Sequence, residues 1–488
     1  MSAPTEFDLA VIGAGSAGLT ASTIAARIGL RVAVIERGQV GGDCLWTGCV
    51  PSKSLIASAR RAYEMRTADR LGLPAADPEI NLAQVWKRMH EVRSEIAQDT
   101  DNAEYLEDLG IAFVAGDAEF VSPTRIAVAD RIVEARFSLV ATGSRPRLLE
   151  AESLEETGYL TTESVFDIDD PPSSIIIIGA GTAGCELAQA FNRLGIRVTV
   201  LEREDRILPR DEADLGDILL ERLTAEGVEI VTDAEIMSAC TRGVPEALSK
   251  SVTARVRNTD TRTWSASEIL VAVGETPNSE SLGLETLGVE INPSGIAVDQ
   301  RGRTTVPNIY AAGDVTGRPF LTNAAGAEAA STVRDMFFPG HASPIEPIPW
   351  TTFCDPELAG VGITSEQARN KLGERIRVYS ADIVDSDRAR IDAETCGRIV
   401  IVTNRGRIVG GHVLARNASE MIGELTIAVA QKMKLTDFGQ FSHTYPSLSM
   451  AIGQVGTEAL LDQTQRLKWL ARRRGGGRPP NGPDDQHA

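Results

Sequence analysis

The chain has 488 residues and a formal net charge of −19. The length predicts about three domains, and the negative charge argues against a nucleic-acid-binding protein. Its six cysteines are spread over a long chain, unlike the disulfide framework of a small secreted domain. No charged and apolar leader precedes the first predicted strand at Phe7, and no apolar run approaches the ~18 residues of a membrane span, so we expect a cytoplasmic protein.

The N-terminal segment predicts a dinucleotide-binding unit. The apolar run and glycine-rich turn FDLAVIGAGSAG occupies Phe7–Gly18. A helical pattern then reaches Ile28, and the apolar strand RVAVIE ends at Glu36. In such units the glycines allow a tight turn, close approach of the backbone to a pyrophosphate and close helix packing, and the acid takes the ribose hydroxyls. The turn glycines are Gly13, Gly15 and Gly18.

A cysteine motif, GGDCLWTGCVPSK, follows from Gly41 to Lys53. Cys44 and Cys49 flank four residues, and Pro51 suits the first turn of a helix. We therefore expect both sulfurs just before a helix N-terminus, where the partial positive charge favours the thiolate. The neighbouring dinucleotide motif favours a redox pair over the alternatives of inert thiols or zinc ligands. Two cysteines alone make a poor zinc site, and no resident metal is predicted.

The same strand–turn–helix–strand pattern returns downstream. SIIIIGAGTAG runs from Ser174 to Gly184, a helix follows to Leu194, and RVTVLE ends at Glu202. The spacing from the first turn glycine to the terminal acid is identical in the two units, which is stronger evidence than either glycine motif alone. Each unit also has a later strand that stops at a glycine turn, ATGSRP with Gly143 and AVGETP with Gly274. The turn glycines of the second unit are Gly179, Gly181 and Gly184.

The remaining segments predict a linker, a return to the first unit and a third domain. DDPPSS is typical of a linker, and NIYAAGD predicts a strand that ends at Gly313–Asp314. A helix is expected from Thr322, with Thr322 as its N-cap. From about Pro344 short strands and helices predict a separate α+β domain. The tail from Arg473 is expected to be disordered. The basic amphipathic stretch before it is either solvated or in contact with a membrane surface.

Taken together, these motifs make the chain resemble the class I pyridine nucleotide-disulfide oxidoreductases, which include dihydrolipoyl dehydrogenase and mercuric reductase. The resemblance extends over about Glu6–Leu461. It implies an α/β protein with two Rossmann-like domains, for FAD and NAD(P), and a C-terminal α+β dimerisation domain. The expected boundaries are 1–150 and 278–343 for the FAD domain, 151–277 for the NAD(P) domain, 344–470 for the dimerisation domain and 471–488 for the tail.

The resemblance also implies roles for individual residues. The first fold would bind FAD, and the second would bind a nicotinamide dinucleotide. Glu202 would accept a ribose 2′-hydroxyl and favour NADH, although Arg203 and Arg206 beside it leave NADPH open. Lys53 would lie near flavin N5 and pair with Glu186. The residues assigned to FAD are Gly13, Gly15, Gly18, Glu36, Lys53, Ala118, Gly143 and Asp314, and those assigned to the nicotinamide dinucleotide are Gly179, Gly181, Gly184, Glu202 and Gly274.

For the chemistry, the resemblance makes Cys49 the thiolate that faces the flavin and Cys44 the sulfur that meets the substrate. Near the C-terminus the sequence departs from members that reduce disulfides, which carry a His-Pro-Thr phrase and a glutamate five residues after the histidine. In HTYPSLSM, Tyr445 stands where that histidine is expected, Met450 replaces the glutamate, and His443 lies two residues early. Tyrosine has an ordinary pKa near ~10, so it is a poor base at neutral pH, and loss of a positioned base typically costs about 10²–10⁴ in rate.

We therefore predict a homodimeric FAD enzyme that oxidises NADH, or NADPH, through the Cys44–Cys49 pair. In the dimer, Tyr445 would lie near the cysteine pair of the other subunit. The acceptor is predicted to be a soft metal ion, Hg²⁺ or Cu²⁺, or a quinone, since these need no proton relay. The match to mercuric reductases is incomplete, because no cysteine follows Cys396. Two alternatives stay open: a dihydrolipoyl dehydrogenase with a degenerate relay, and a non-enzymatic redox sensor that binds FAD.

Overall fold

The structure, a computed structural model, describes residues 6–242, 249–257, 259–340 and 346–466. The chain divides into two compact units, Met1–Asp355 and Pro356–Ala488. The predicted tail, 471–488, and the domain boundary placed at 344 fall outside the described residues.

The first unit begins with a seven-stranded sheet. Its parallel part has the order β3-β2-β1-β6, and β19 pairs with the other side of β6, while β4 and β5 extend the sheet in antiparallel fashion from the first half of β6. The elements of this part are β1 (Phe7–Ile12), α1 (Ser16–Arg27), β2 (Val32–Glu36), α2 (Gly42–Trp46), α3 (Cys49–Arg66), α4 (Leu82–Asp99), α5 (Ala103–Asp108), β3 (Ala112–Ala115), β4 (Ala118–Ser122), β5 (Arg125–Val128), β6 (Arg131–Val140), β7 (Ser144–Pro146) and, later in the chain, β19 (Ile309–Ala311).

A second parallel sheet of the same kind follows, with the order β11-β10-β9-β15-β8, beside an antiparallel sheet of β12, β13 and β14. All five residues of the isoleucine-rich β9 are buried, as expected for a central parallel strand covered on both faces. The elements are α6 (Leu154–Thr157), β8 (Leu160–Thr161), β9 (Ser174–Ile178), α7 (Thr182–Arg193), β10 (Arg197–Leu201), α8 (Ala213–Ala225), β11 (Glu229–Val231), β12 (Ala234–Arg242), β13 (Ser249–Val256), β14 (Asp260–Ala266), β15 (Glu268–Val271) and β16 (Glu275–Pro277).

The two nucleotide-binding folds meet through their glycine-turn phrases, because β7 and β16 pair antiparallel with Ser144 opposite Pro277. The chain then returns to the first sheet. The elements of the return are β17 (Ile291–Asn292), β18 (Gly295–Ile296), the strand β19, α9 (Thr322–Phe337) and β20 (Trp350–Thr352). Short 3₁₀ turns of the first unit are Ala68–Leu71, Glu285–Leu287 and Asp314–Thr316.

The second unit contains four antiparallel strands in the order β21-β24-β23-β22, with helices packed against them. Its elements are β21 (Glu357–Gly362), α10 (Ser365–Leu372), β22 (Ile376–Asp382), α11 (Asp387–Ile391), β23 (Arg398–Asn404), β24 (Arg407–Ala415), α12 (Ala418–Ala430), α13 (Leu435–Phe438) and α14 (Met450–Arg466), with 3₁₀ turns at Gly373–Arg375 and Ile383–Asp385. The predicted fold class, two Rossmann-like folds and an α+β domain, is confirmed.

Candidate active site

The two glycine-rich turns have matching geometry. Gly13 and Gly179 follow β1 and β9 with φ of +102° and +105°, a left-handed conformation that favours glycine. A Cβ on Gly18 would lie 1.9 Å from the carbonyl oxygen of Gly13, and one on Gly184 would lie 2.0 Å from that of Gly179. The third glycine of each motif is therefore required where the helix packs on the turn.

The acid at the end of each second strand holds its turn in place. Glu36 Oε2 accepts the backbone N–H of Ala14 at 2.6 Å, and Glu202 Oε2 accepts that of Ala180 at 2.5 Å. The second oxygen of each carboxylate accepts the N–H two residues further along the chain. Both acids are thus fixed beside the turn, where a ribose of a bound dinucleotide would meet them.

A cleft of about 1550 Å³ brings both turns together with the cysteine motif. Of the predicted site residues, it is lined by Gly13, Gly15, Glu36, Cys44, Cys49, Lys53, Ala118, Gly143, Gly179, Gly181, Glu186, Glu202, Gly274 and Asp314. Gly18 and Gly184 lie behind the turns against Gly13 and Gly179. Tyr445 belongs to the second unit and is not among the lining residues.

The cleft is suited to anionic dinucleotides. Gly15 and Gly181 are the N-caps of α1 and α7, and neither helix receives a side-chain cap. The first residues of both helices line the cleft, so unsatisfied backbone N–H groups and the positive ends of two helix dipoles are available to phosphates. A Cβ on Gly181 would have open space around it, which leaves room for close approach of a ligand. The residues present therefore fit FAD on the first fold and a nicotinamide dinucleotide on the second.

The two cysteines of the motif line this cleft but lie in different helices. Cys49 is the first residue of α3, whereas Cys44 lies inside the short helix α2, so only Cys49 has the helix-start position that we predicted for both sulfurs. Both are free thiols in this structure, which therefore describes the reduced pair.

A residue that the sequence analysis did not assign to the site lies beside Cys49. Thr322 Oγ1 is 3.6 Å from Cys49 Sγ. Thr322 was predicted to be the N-cap of its helix, which is wrong by one position, because Leu321 is the N-cap and Thr322 is the first residue of α9. The N-termini of α3 and α9 therefore converge on the Cys49 sulfur, an arrangement that stabilises a thiolate.

Burial and neighbouring groups give the two sulfurs opposite tendencies to ionise. The Cys44 thiol donating to Cys49, the charge of Lys53 and the hydroxyl of Thr322 together lower the pKa of Cys49 to about 6, against burial and the charge of Glu186. The same contact with Cys49, together with burial, raises the pKa of Cys44. At neutral pH Cys49 is therefore the thiolate and Cys44 the thiol.

An ion pair lies next to the cysteines. Lys53 follows Cys49 by one turn of α3, and its Nζ lies 2.8 Å from Oε2 of Glu186 on α7. The Lys53 side chain is 32% exposed and that of Glu186 is 3% exposed. The other oxygen of Glu186 accepts the backbone N–H of Phe353 at 2.7 Å. A cation is thus held at the cleft wall by a buried carboxylate.

A buried ionic cluster lies near the end of α7, and its arginine also contacts α3. Arg193, near the end of α7, donates to both carboxylate oxygens of Glu226 at 2.7 Å and to Asp355 at 2.8 Å. Its guanidinium also lies 4.0 Å from the ring centroid of Tyr63 on α3. The ion pairs hold the end of α7 to Glu226 and Asp355, and the cation–π contact joins α7 to α3.

Several carboxyl groups of the cleft are protonated more easily than usual. Burial raises the pKa of Asp314 to about 6, in spite of the hydroxyl of Ser144 that donates to it at 3.2 Å. Burial and neighbouring acids likewise raise the pKa of Asp43 to about 6 and that of Glu275 to about 7. Asp43 and Glu275 were not assigned to the site, although both lie within the quoted motifs.

Tyr445, His443 and Met450, where the sequence differs from the disulfide-reducing members of the family, all lie in the second unit. The Tyr445 side chain is exposed, and its hydroxyl donates to Asp387 at 3.2 Å. His443 Nε2 lies 2.8 Å from Oε1 of Glu424. A Cβ on Gly453 would lie 2.7 Å from the other ring nitrogen of His443, so the ring packs closely on α14. Met450 is the first residue of that helix.

The described residues contain neither a membrane-spanning helix nor a cluster of metal ligands. None of the helices in this part of the chain has both the length and the apolar character that a bilayer crossing needs. The described histidine, cysteine, aspartate and glutamate side chains also form no cluster of three or more that could hold a metal ion.

Two family models match the chain. Residues 7–329 match the pyridine nucleotide-disulphide oxidoreductase family, and residues 348–455 match the dimerisation domain of the same family.

Relatives agree with these matches. A dihydrolipoyl dehydrogenase from Geobacillus stearothermophilus is 32% identical over 466 residues, which cover 93% of this chain and 95% of that protein. A mercuric reductase from Bacillus cereus is 30% identical over 452 residues, covering 92% of this chain and 70% of that protein. Among solved structures, the Cu(II) complex of the HOCl-induced flavoprotein disulfide reductase RclA from Escherichia coli has a TM-score of 0.81 at 25% identity, covering 93% of this chain and 99% of that one.

Proposed function

Because the chain belongs to the class I pyridine nucleotide-disulfide oxidoreductases, we propose that it oxidises NADH and passes the electrons through the Cys44–Cys49 pair to a soft metal ion, Hg²⁺ or Cu²⁺. The family is FAD-dependent and uses NAD(P)H, and its dimerisation domain indicates a homodimer. The observation that carries the proposal is the setting of Cys49, a sulfur between two helix N-termini, next to Lys53 and Thr322.

Different residues of the cleft would bind the two cofactors and carry out the sulfur chemistry. Bound FAD would supply the electron transfer between the nicotinamide and the two sulfurs. The turn at Gly179–Gly184 and Glu202 would hold the nicotinamide dinucleotide, and the turn at Gly13–Gly18 and Glu36 would hold FAD. Lys53 places a positive charge beside Cys49 and favours its thiolate. Cys44, with a raised pKa, keeps its proton and, in the role that the family assigns to it, would be the sulfur that meets the acceptor.

The electrons balance over one cycle. One NADH converts the Cys44–Cys49 disulfide into the Cys44 thiol and the Cys49 thiolate and releases NAD⁺. When the S–S bond forms again, two electrons and one proton leave the pair. These electrons reduce one Hg²⁺ to Hg⁰ or two Cu²⁺ to two Cu⁺. No proton has to be delivered to a leaving thiol of an organic disulfide.

The residues near the C-terminus that differ from the disulfide-reducing members of the family favour a metal ion as the acceptor. Tyr445 replaces the expected histidine, and Met450 replaces the acid that would orient it. A phenol is a weak base at neutral pH, so no effective base stands at the position where the family's disulfide-reducing members carry their histidine. A metal ion needs only sulfur ligands. Mercuric reductase is among the relatives, and RclA has been solved with Cu(II). A quinone is the second acceptor that requires no relay.

An acceptor panel tests this proposal. NADH oxidation by the FAD-loaded protein is measured with lipoamide, glutathione disulfide, Hg²⁺, Cu²⁺ and a quinone, for the wild type, Cys44→Ser and Tyr445→His. We expect the metal ions to be turned over at least about tenfold faster than lipoamide, since a missing base costs about 10²–10⁴ in rate. Cys44→Ser should remove metal reduction. Lipoamide turnover that exceeds metal turnover in the wild type would contradict the proposal.

One observation favours the alternative of a dihydrolipoyl dehydrogenase. A histidine–carboxylate pair does exist in the second unit, between His443 and Glu424 at 2.8 Å. The pair lies outside the expected position, and the His443 side chain is only 12% exposed, with its ring against Gly453. If this pair serves as the relay, His443→Gln will abolish lipoamide turnover in the same panel.

We also propose a preference for NADH over NADPH. The Glu202 carboxylate is fixed by two backbone N–H groups, so a 2′-phosphate at this position would meet a negative charge that cannot turn away. We expect kcat/KM to be about 10–100-fold higher with NADH. Glu202→Gln should lower that ratio about tenfold, whereas Glu221→Gln, a change at an exposed residue of α8 outside the cleft, should leave it unchanged. Equal kcat/KM values for the two cofactors would contradict the preference.

A further inference from the structure

Phe353 contacts both members of the ion pair beside the cysteines. Its backbone N–H donates to Glu186 Oε1 at 2.7 Å, and its ring centroid lies 4.7 Å from Lys53 Nζ. The same residue therefore orients the carboxylate with its main chain and faces the ammonium with its ring. We propose that Phe353 is a positioning residue that holds Lys53 beside Cys49 and so supports the thiolate of the redox pair.

The ring is held in place by the segment that carries it. Thr352 Oγ1 lies 3.0 Å from Thr182 Oγ1, at the start of α7. Gln189 exchanges two hydrogen bonds with the backbone of Asp355, at 2.7 and 2.9 Å. These contacts attach the segment Thr352–Asp355 to one face of α7, on both sides of Phe353. The aromatic face is thus presented to Lys53 by a rigid support.

The contact has a physical consequence for a flexible side chain. Lysine has a four-carbon side chain with several rotamers. One hydrogen bond from Lys53 to Glu186 therefore does not restrict the side chain to a single rotamer. An ammonium within ~6 Å of an aromatic centroid is attracted to the ring face, most strongly where water is excluded. The ring therefore favours the rotamer that keeps the positive charge near Cys49. Loss of the ring should let Lys53 move toward solvent.

The test measures the ionisation of Cys49. The inference rests on the proposed function only in that it takes the Cys49 thiolate to be part of the redox pair. The ionisation of Cys49 in the reduced, FAD-loaded protein is followed over a series of pH values by the ultraviolet absorbance of the thiolate, taken as the difference between the protein and its Cys49→Ser variant. The wild type should show a midpoint near pH 6, with the thiolate absorbance falling below it as the sulfur becomes protonated. Phe353→Met, with Phe353→Leu as a second variant, should raise the midpoint by about 0.5 pH unit.

The controls separate positioning from simple packing. Phe353→Tyr keeps a ring face and should restore the wild-type midpoint. In a Lys53→Met background, Phe353→Met should cause no additional shift, because the effect acts through Lys53. A wild-type midpoint in Phe353→Met, an equal shift in Phe353→Tyr, or an unchanged shift in the Lys53→Met background would overturn the proposal. If instead the wild-type midpoint lies near the ordinary thiol value, about 8.5, the proposed redox function itself fails.

Discussion

Replacement of Cys49 by serine is expected to lower NADH oxidation with Hg²⁺ as acceptor by at least about 10³-fold, the scale on which loss of a nucleophile acts. Serine cannot form the S–S bond, so the two electrons have no sulfur pair to enter. The hydroxyl also lacks the low pKa that Lys53, Thr322 and the Cys44 thiol give to Cys49. The steady-state rate with saturating NADH is the quantity to measure, with FAD content determined for each preparation.

A cysteine elsewhere in the first unit provides the matched control. Cys240 lies on β12 and is partly buried, like Cys44, but does not line the cleft. Cys240→Ser should therefore keep full activity. If Cys49→Ser retained more than a tenth of the wild-type rate with Hg²⁺ while it still bound FAD, the sulfur pair would not be the path of the electrons.

Replacement of Lys53 by methionine should affect both activity and stability. The rate with Hg²⁺ should fall by about 10²-fold, because one fixed charge next to the reacting atoms is lost, and the pKa of Cys49 should rise since Lys53 lowers it. The variant leaves the Glu186 carboxylate, 3% exposed, without its counter-charge. The free energy of unfolding from chemical denaturation should fall by about 2–3 kcal/mol, at the lower end of the cost of breaking a buried pair, because Lys53 itself is partly exposed.

An exposed lysine serves for comparison. Lys87 on α4 lies 3.7 Å from Glu91 one turn later, and both side chains are more than half exposed. Lys87→Met should cost less than about 0.5 kcal/mol and should not change the rate. Equal stability losses in the two variants would show that the Lys53–Glu186 pair is not held in the way described.

The sequence was sufficient to predict those elements whose formation depends on residues close together in the chain. Each glycine turn is bounded by an apolar strand and a helix within one short segment, and the bounds of β1, α1, β9 and α7 agree with the predicted pattern. The strand predicted within NIYAAGD is also present, although β19 ends at Ala311, before the predicted end at Gly313–Asp314, and the second unit contains short strands as predicted. These elements are determined by glycine conformation and hydrophobic periodicity, which neighbours in the chain express directly.

The contacts that shape the chemistry of Cys49 could not be obtained in that way. Thr322 is 273 positions from Cys49. In the sequence, a threonine at the start of a helix is explained equally well by a role as N-cap, so nothing indicates its contact with Cys49. Phe353 is 167 positions from Glu186 and bonds to it through its backbone, so its residue type carries no signal of that contact. The pairing of Lys53 with Glu186 was expected only from the family resemblance. Tertiary packing brings these groups together, and rules based on neighbouring residues in the chain cannot predict these contacts.

The most direct test of the account is an anaerobic titration of the oxidised, FAD-loaded protein with NADH, followed by peptide-resolved thiol labelling. The account predicts that one equivalent of NADH per subunit is consumed and that two new thiols appear, at Cys44 and Cys49. Consumption of NADH without new thiols at these two positions, or no reaction with NADH, would contradict it.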